Sequence, residues 1–382
     1  MTGGRRAAAR RGGAPATLTL RDLNRATLAR QLLLERAACA PLDAVERVAG
    51  LQAQLARPPF VGLWTRVHGF TREQLRSLAG SRRVVRATLQ RGTLHLVSAD
   101  DYRRWRAPLQ PMLDAGLAAV LGARVAGLDV GRLLAAAREL LAERPRPFDE
   151  LRPLLAAAVE PGTDPRALGY AVKVLLPLVQ LPADGAAWGW DARAPFALAD
   201  AWLGAAPHAD ARPHDLVRRY LAAFGPATPA DAGAWSGLRG LRQTFDDLRP
   251  ELVVFRDERG RELFDLPDAP RPGGDAPAPV RFLPDFDNLV LAHDDRTRVL
   301  AAEHRARITS RNLQVAATVL VDGFVAGTWR VERTRAAATL RLLPFATLPA
   351  RTRREVEAEG EALLAFVEPD SRGREVRFEP RA

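Results

Sequence analysis

The chain has 382 residues, 47% of them apolar, which is enough for more than one domain with a buried core. It carries a formal charge of +11 with a pI near 11.0, and 55 of its 56 basic residues are arginine (Lys173 is the sole lysine), so a polyanion such as nucleic acid is favoured over an acidic membrane surface. The single cysteine, Cys39, excludes an internal disulfide and a cysteine-based metal or iron–sulfur site, and no run reaches the roughly 20 apolar residues needed to span a bilayer.

Residues 1–17 are basic but lack an apolar core segment, so they read as a disordered tail rather than a secretory signal. Thr19 and Asp22 have the form of a helix start, and the first helix is predicted to run to about Arg36. Pro41 breaks the chain, and Asp43 to Glu46 begins a second helix with Val45, Val48, Ala49 and Gln52 on one face. Thr71 to Gln74 starts another, followed by a hairpin with strands Val84–Leu89 and Thr93–Val97 about a turn at Arg91-Gly92. Helices followed by a hairpin describe a winged helix, here residues 18–115.

The order recurs twice. Over residues 116–206, helices are predicted at Gly131–Glu143, Phe148–Val159 and from Asp164-Pro165 to Leu176, with a wing built from Val179–Leu181 and Trp188–Trp190. Over residues 207–275, helices are predicted at Asp215–Phe224, from Thr228-Pro229, and at Leu238–Leu248, with a wing of Leu252–Phe255 and Glu262–Leu266. Pro267–Pro279 reads as a linker. Residues 276–382 read as a β-rich domain with strands at Val315–Val321, Phe324–Val331 and Thr339–Leu343 and a closing helix, Arg351–Phe366. The predicted class is therefore α+β, with three tandem winged-helix modules and a β-rich C-terminal domain.

Two glutamines one residue apart, Gln52 and Gln54, precede a Pro58-Pro59 stop. They point the same way only on an extended backbone, where side chains repeat every second residue; otherwise they are ordinary surface amides at a helix end. With this pair stand Gly50–Trp64, Val84–Asp101, Arg218–Leu238, Leu283–Val299 and Val319–Arg330. On these stretches, in this order, the chain resembles the winged-helix DNA-binding family that contains the AlkZ-type DNA glycosylases, whose hallmark is a Gln–apolar–Gln motif. The resemblance implies a monofunctional glycosylase acting on double-stranded DNA that contains alkylated, possibly bulky or crosslinked, purines. It also implies that Gln52 and Gln54 are the catalytic pair.

The chemistry of the residues agrees with that implication. A purine alkylated at N7 or N3 is cationic and leaves without strong acid, so two amides, each both donor and acceptor, suffice to orient water. Arg86, Arg91 and His95 are candidate phosphate or lesion-pocket contacts, with Arg91, Thr93 and His95 expected on one face of a strand. Asn288, His293 and Arg296 lie in a segment expected either to reach the same cleft or to form a capped turn held by an Asp–Arg pair. Lys173 is expected to pack its stem and reach a phosphate, the catalytic amine being the alternative. Trp188 and Trp190 are expected in packing or at DNA. The six histidines show no paired metal spacing and there is no phosphate-binding loop or dinucleotide fingerprint, so neither metal nor cofactor is expected. A cytoplasmic, nucleoid-associated monomer without an obligate protein partner follows as the expectation. A non-enzymatic winged-helix regulator or damage binder is the competing reading, and the absence of coiled-coil heptads counts against a dimeric regulator.

Overall fold

The computed structural model describes residues 15–122, 127–159, 164–335 and 337–380. Thr19 and Asp22 cap the first helix, Leu20–Arg30, reciprocally, each side chain bonding the other's backbone N–H. That helix stops at Arg30 rather than Arg36, because Gln31 leaves helical geometry and Leu32 takes φ 57°. The next helix, Pro41–Arg47, is likewise shorter than predicted and does not carry Gln52 on its face. Ala49 (φ 56°) and Gly50 (φ 82°) reverse the chain into a short strand, Leu51–Gln52. Only glycine fits at position 50, since a Cβ there would lie 2.6 Å from Val97 Cγ1. Pro58-Pro59 is not a stop; it opens a helix, Pro58–Trp64, with proline in the first turn, where its missing N–H costs nothing.

The largest departure from expectation is that the first two modules are not separate winged helices. Their strands form one five-stranded antiparallel sheet in the order Leu51–Gln52, Leu94–Ser98, Val84–Thr88, Leu178–Gln180, Phe196–Leu198. The join is made by Arg86 opposite Gln180 and Ala87 opposite Val179. Trp188 and Trp190 lie in turns outside this sheet, and its outer strand is Phe196–Leu198. Trp188 packs edge-on against Phe60 at 5.3 Å with Arg72 stacked over it at 4.0 Å, and Trp190 donates to the Gln180 carbonyl at 3.1 Å. Both tryptophans are therefore packing residues.

The third module shows the expected order of helices His214–Phe224, Pro229–Ser236 and Arg242–Leu248 followed by a hairpin, Val253–Asp257 with Glu262–Asp265. Thr17–Leu18 joins this hairpin as a parallel strand, so the end of the predicted tail is structured; residues 1–14 lie outside the described residues. The C-terminal sheet has five strands in the order Gly373–Phe378, Ala337–Pro344, Phe324–Arg333, Thr318–Val321, Arg281–Leu283. The helix Ala350–Val367 makes the crossover between the parallel strands Ala337–Pro344 and Gly373–Phe378. Strands Arg281–Leu283 and Gly373–Phe378 and the helix Gln110–Leu121 were not anticipated.

Core packing welds the pieces together. One apolar cluster takes Val85, Val97 and Trp105 from the first module, Val179 from the second, Tyr220, Phe224 and Trp235 from the third, and Ala292 from beyond the linker. Side chains that share one core lose it together, so the segments stand or fall as a unit. Two fully buried ion pairs add to this. Arg30 meets Asp265 at 2.6 and 2.8 Å, and Arg66 meets Asp287 at 2.9 Å through both nitrogens. Among the described residues no helix is long and apolar enough to cross a membrane.

Candidate active site

The left-handed turn at Ala49-Gly50 lays Leu51–Gln52 antiparallel to Leu94–Ser98, with Gln52 opposite His95. The backbone at Gln52 is therefore extended, as convergence of the two amides requires. Gln52 is 6% exposed, whereas Gln54, in the loop between strand and helix, is open to solvent. Loop and strand are fastened by Ala53 N–H donating to the Leu94 carbonyl at 2.7 Å. The Gln54 Oε1 accepts a long bond, 3.4 Å, from Leu94 N–H.

Arg91 is the centre of this arrangement, and it does not lie on a strand. It sits in a tight turn, Gln90–Gly92, with φ 55°, which curls its guanidinium back beneath the sheet edge. The expected strand alternation of Arg91, Thr93 and His95 therefore fails, and Thr93 spends its hydroxyl on the Gln90 carbonyl within the turn. One Arg91 nitrogen donates to Gln52 Oε1 at 2.7 Å and to Asn288 Oδ1 at 2.9 Å, and the other bonds the Trp235 carbonyl. Asn288 is fixed in turn by donating to the Gly50 carbonyl at 3.2 Å. A guanidinium has only donors, so the Gln52 atom facing it must be the carbonyl oxygen. Among the described residues, the Gln52 Nε2 donates to no protein acceptor. The half-buried Arg91 guanidinium is thus committed to Gln52, Asn288 and the Trp235 carbonyl. Burial and the neighbouring Arg296 bring its pKa down to about 10, far enough above neutrality to keep it charged.

His95 lies under the same guanidinium. Its Nδ1 is 3.2 Å from the Thr93 carbonyl, an acceptor, so that nitrogen carries the proton. Nε2, 3.4 Å from Arg91, is the acceptor. Burial, then the charge of Arg91, hold the imidazole neutral with a pKa near 3. His95 thus offers neither a phosphate contact nor a general base to the cleft. His293 does not reach the cleft either. It is 1% exposed, its Nε2 lies 3.0 Å from the Phe224 carbonyl, and its ring packs against Tyr220 and Phe224. Burial, then Arg298, depress its pKa as well. The turn that follows is capped by Asp295, which pairs with Arg259 and Arg261 from the third module's wing rather than with Arg296. Arg296 stands half-buried near Arg91 with its Nε unpaired among the described residues.

Two neutral buried histidines make stability sensitive to acid. Their folded pKa values lie below the unfolded value of about 6.5, so below that pH the unfolded chain takes up protons that the folded chain refuses. Asp101 opposes this with one proton, because burial raises its carboxyl to about 6 despite its 2.6 Å contact with Arg219. From about pH 6 to 4 the net excess is about one proton in the unfolded state, or ~1.4 kcal/mol of stability lost per pH unit. The urea midpoint is expected to fall steadily from pH 7 to 4; a midpoint unchanged over that interval would contradict the burial of two neutral imidazoles.

On the other side of Gln54 stand Arg86, Lys173 and Arg152. Arg86 Nε donates to the Ala53 carbonyl at 2.8 Å, and an Arg86 terminal nitrogen donates to the Gln54 carbonyl at 3.1 Å. Burial lowers its pKa to about 10. Lys173 lies on the helix Pro165–Leu175, and its pKa is lowered by burial, then by Arg86 and Arg152. Arg152 belongs to no motif. Its signal is Gly169 in mid-helix, since a glycine there marks the close approach of another side chain. Among the described residues no group of three or more His, Cys, Asp or Glu side chains is placed to hold a metal ion.

Comparisons with known proteins bear on the fold and the family. The structure resembles that of the Streptomyces sahachiroi DNA glycosylase AlkZ, with a TM-score of 0.77 at 23% identity over 95% of this chain and 100% of that one. A curated relative from Streptomyces sahachiroi, named an interstrand DNA cross-link repair glycosylase, is 32% identical over 136 residues. That alignment spans 34% of this chain and 36% of the relative's length. The sequence model of the family described as DNA glycosylase AlkZ-like matches residues 45–366, which takes in both glutamines, the Arg91 turn and four of the five strands of the C-terminal sheet. The chain belongs to the AlkZ-like DNA glycosylase family.

Proposed function

We propose that this protein is a monofunctional DNA glycosylase that removes cationic, N7- or N3-alkylated purines from duplex DNA, with Gln52 and Gln54 holding the attacking water. The observation that carries this reading is the division of labour between the two amides. Gln52, its oxygen committed to Arg91, has only Nε2–H to offer, and it donates to the water oxygen. Gln54 is exposed and held by one long bond, so it can swing to accept a water proton. A water held by one donor and one acceptor keeps a lone pair free for C1′ of the sugar. As the new C–O bond forms, the glycosidic electron pair leaves with the purine, which becomes neutral, and the surplus proton passes to solvent. Amides are too weak as bases to drive loss of an uncharged base, so the lesion's own charge supplies much of the selectivity.

The lowered pKa of Lys173 favours a second reading, a lysine nucleophile that forms a Schiff base with the abasic sugar and then cleaves the strand. One experiment separates the readings. Duplex DNA with N7-methylguanine is incubated with the protein and divided, one half receiving hot alkali. The monofunctional enzyme gives strand breaks only after alkali. Breaks without alkali identify the lyase, and none in either half leaves a protein that only binds DNA.

A further inference from the structure

Arg86, Lys173 and Arg152 form a cationic group. Among the described residues, no carboxylate lies within ion-pairing distance of any of the three, whereas the buried arginines Arg66 and Arg30 each have one. Among the described residues, Arg86 donates to the carbonyls of Ala53 and Gln54, and its guanidinium lies 6.0 Å from the centre of the Trp190 ring. Arg152 keeps its Nε buried and, among the described residues, unpaired. The three come together by design of the backbone. Arg86 faces Gln180 across the strand pair that joins the first two modules. Arg152 lies flat on Gly169, one helical turn before Lys173; a Cβ at position 169 would be 2.9 Å from Arg152 Cγ and 3.0 Å from its Nε.

Three cations that repel one another and are partly withdrawn from water are destabilising for the fold alone. Arrangements of that kind are retained at sites where an anion completes them. Resting on the glycosylase reading, we propose that Arg86, Lys173 and Arg152 hold a single phosphodiester of the DNA strand beside the lesion, anchoring the backbone on the Gln54 side of the cleft. Arg86 has the further role of linking that anchor to the glutamine loop, since it bonds the Ala53 and Gln54 carbonyls directly. A phosphate seated there has non-bridging oxygens for Lys173 and for the free edge of Arg152, and its negative charge draws the lowered Lys173 pKa back up toward its ordinary value. The lysine is then a clamp and not a nucleophile.

The test uses Lys173→Met and Lys173→Arg in the full chain, with binding to an N7-methylguanine duplex measured as a function of salt. Lys173→Met is expected to bind about ten-fold more weakly, with a log–log salt slope smaller by about 1, the signature of one lost phosphate contact. Its melting temperature is expected to rise, because the uncompensated charge is gone; a purely structural lysine would give the opposite. Lys173→Arg restores affinity and slope. A duplex with an uncharged methylphosphonate in place of the phosphate beside the lesion weakens wild-type binding at least as much as Lys173→Met does, and the two changes together cost less than the sum of the separate losses. An unchanged slope in Lys173→Met, or a borohydride-trapped DNA adduct that vanishes in it, overturns the phosphate site. A reduced slope in a protein that excises no N7-methylguanine upholds the site and removes the glycosylase reading instead.

Discussion

Gln52→Ala and Gln54→Ala each lower single-turnover excision of N7-methylguanine by on the order of 100-fold, with DNA affinity changed only a few-fold. The size follows from the cost of misplacing a reactant by about an ångström, which is enough to lose that factor. The affinity is spared because binding energy comes mainly from arginine–phosphate contacts, and neither amide is charged. The structure also separates the two glutamines. Gln52→Glu keeps an acceptor for Arg91 but replaces the Nε2 donor with a second acceptor, so it is expected to be as slow as Gln52→Ala even though its bond to Arg91 survives. If Gln52→Glu retains wild-type excision rates, the donor role is wrong. If both alanine variants do, the site lies elsewhere.

How much of this was readable beforehand depended on the range of the interactions concerned. Local signals served well. The reciprocal cap of Thr19 with Asp22, the proline-led helix Pro165–Leu175 and the hairpin around Glu258–Gly260 are where the residue types place them. The extended backbone at Gln52 followed from requiring two side chains to converge. What failed was non-local. No pattern within either segment states that Arg86 pairs with Gln180, so two hairpins read as separate wings when they share one sheet. Arg91 misled for a related reason. Its strand-like neighbours conceal a left-handed turn, adopted because the guanidinium gains three buried partners from three distant parts of the chain. His293 was drawn towards the cleft by its polar neighbours, but its environment is set by Tyr220 and Phe224 from another module.

The second large effect is expected at Asp287, which touches neither glutamine. Its carboxylate takes both terminal nitrogens of Arg66 at 2.9 Å, and both side chains are about 1% exposed. Asp287→Ala leaves Arg66 buried with only the Gln31 and Gly62 carbonyls as close partners, at 3.1 and 3.0 Å. Removing one member of a buried pair costs about 3–5 kcal/mol, because the remaining charge is neither hydrated nor compensated. Urea denaturation should report that loss. The same carboxylate also accepts from Leu289 N–H at 2.9 Å and so shapes the turn that presents Asn288 to Arg91. Stability and catalysis can be told apart with the double variant Arg66→Met, Asp287→Leu, which removes both charges and fills the space with apolar atoms. Such replacements are often neutral or stabilising. The double variant is therefore expected to recover most of the lost stability while still excising slowly, because the Asn288 turn has lost its cap. A double variant that recovers both properties would mean that Asn288 holds Arg91, and through it Gln52, without help from Asp287.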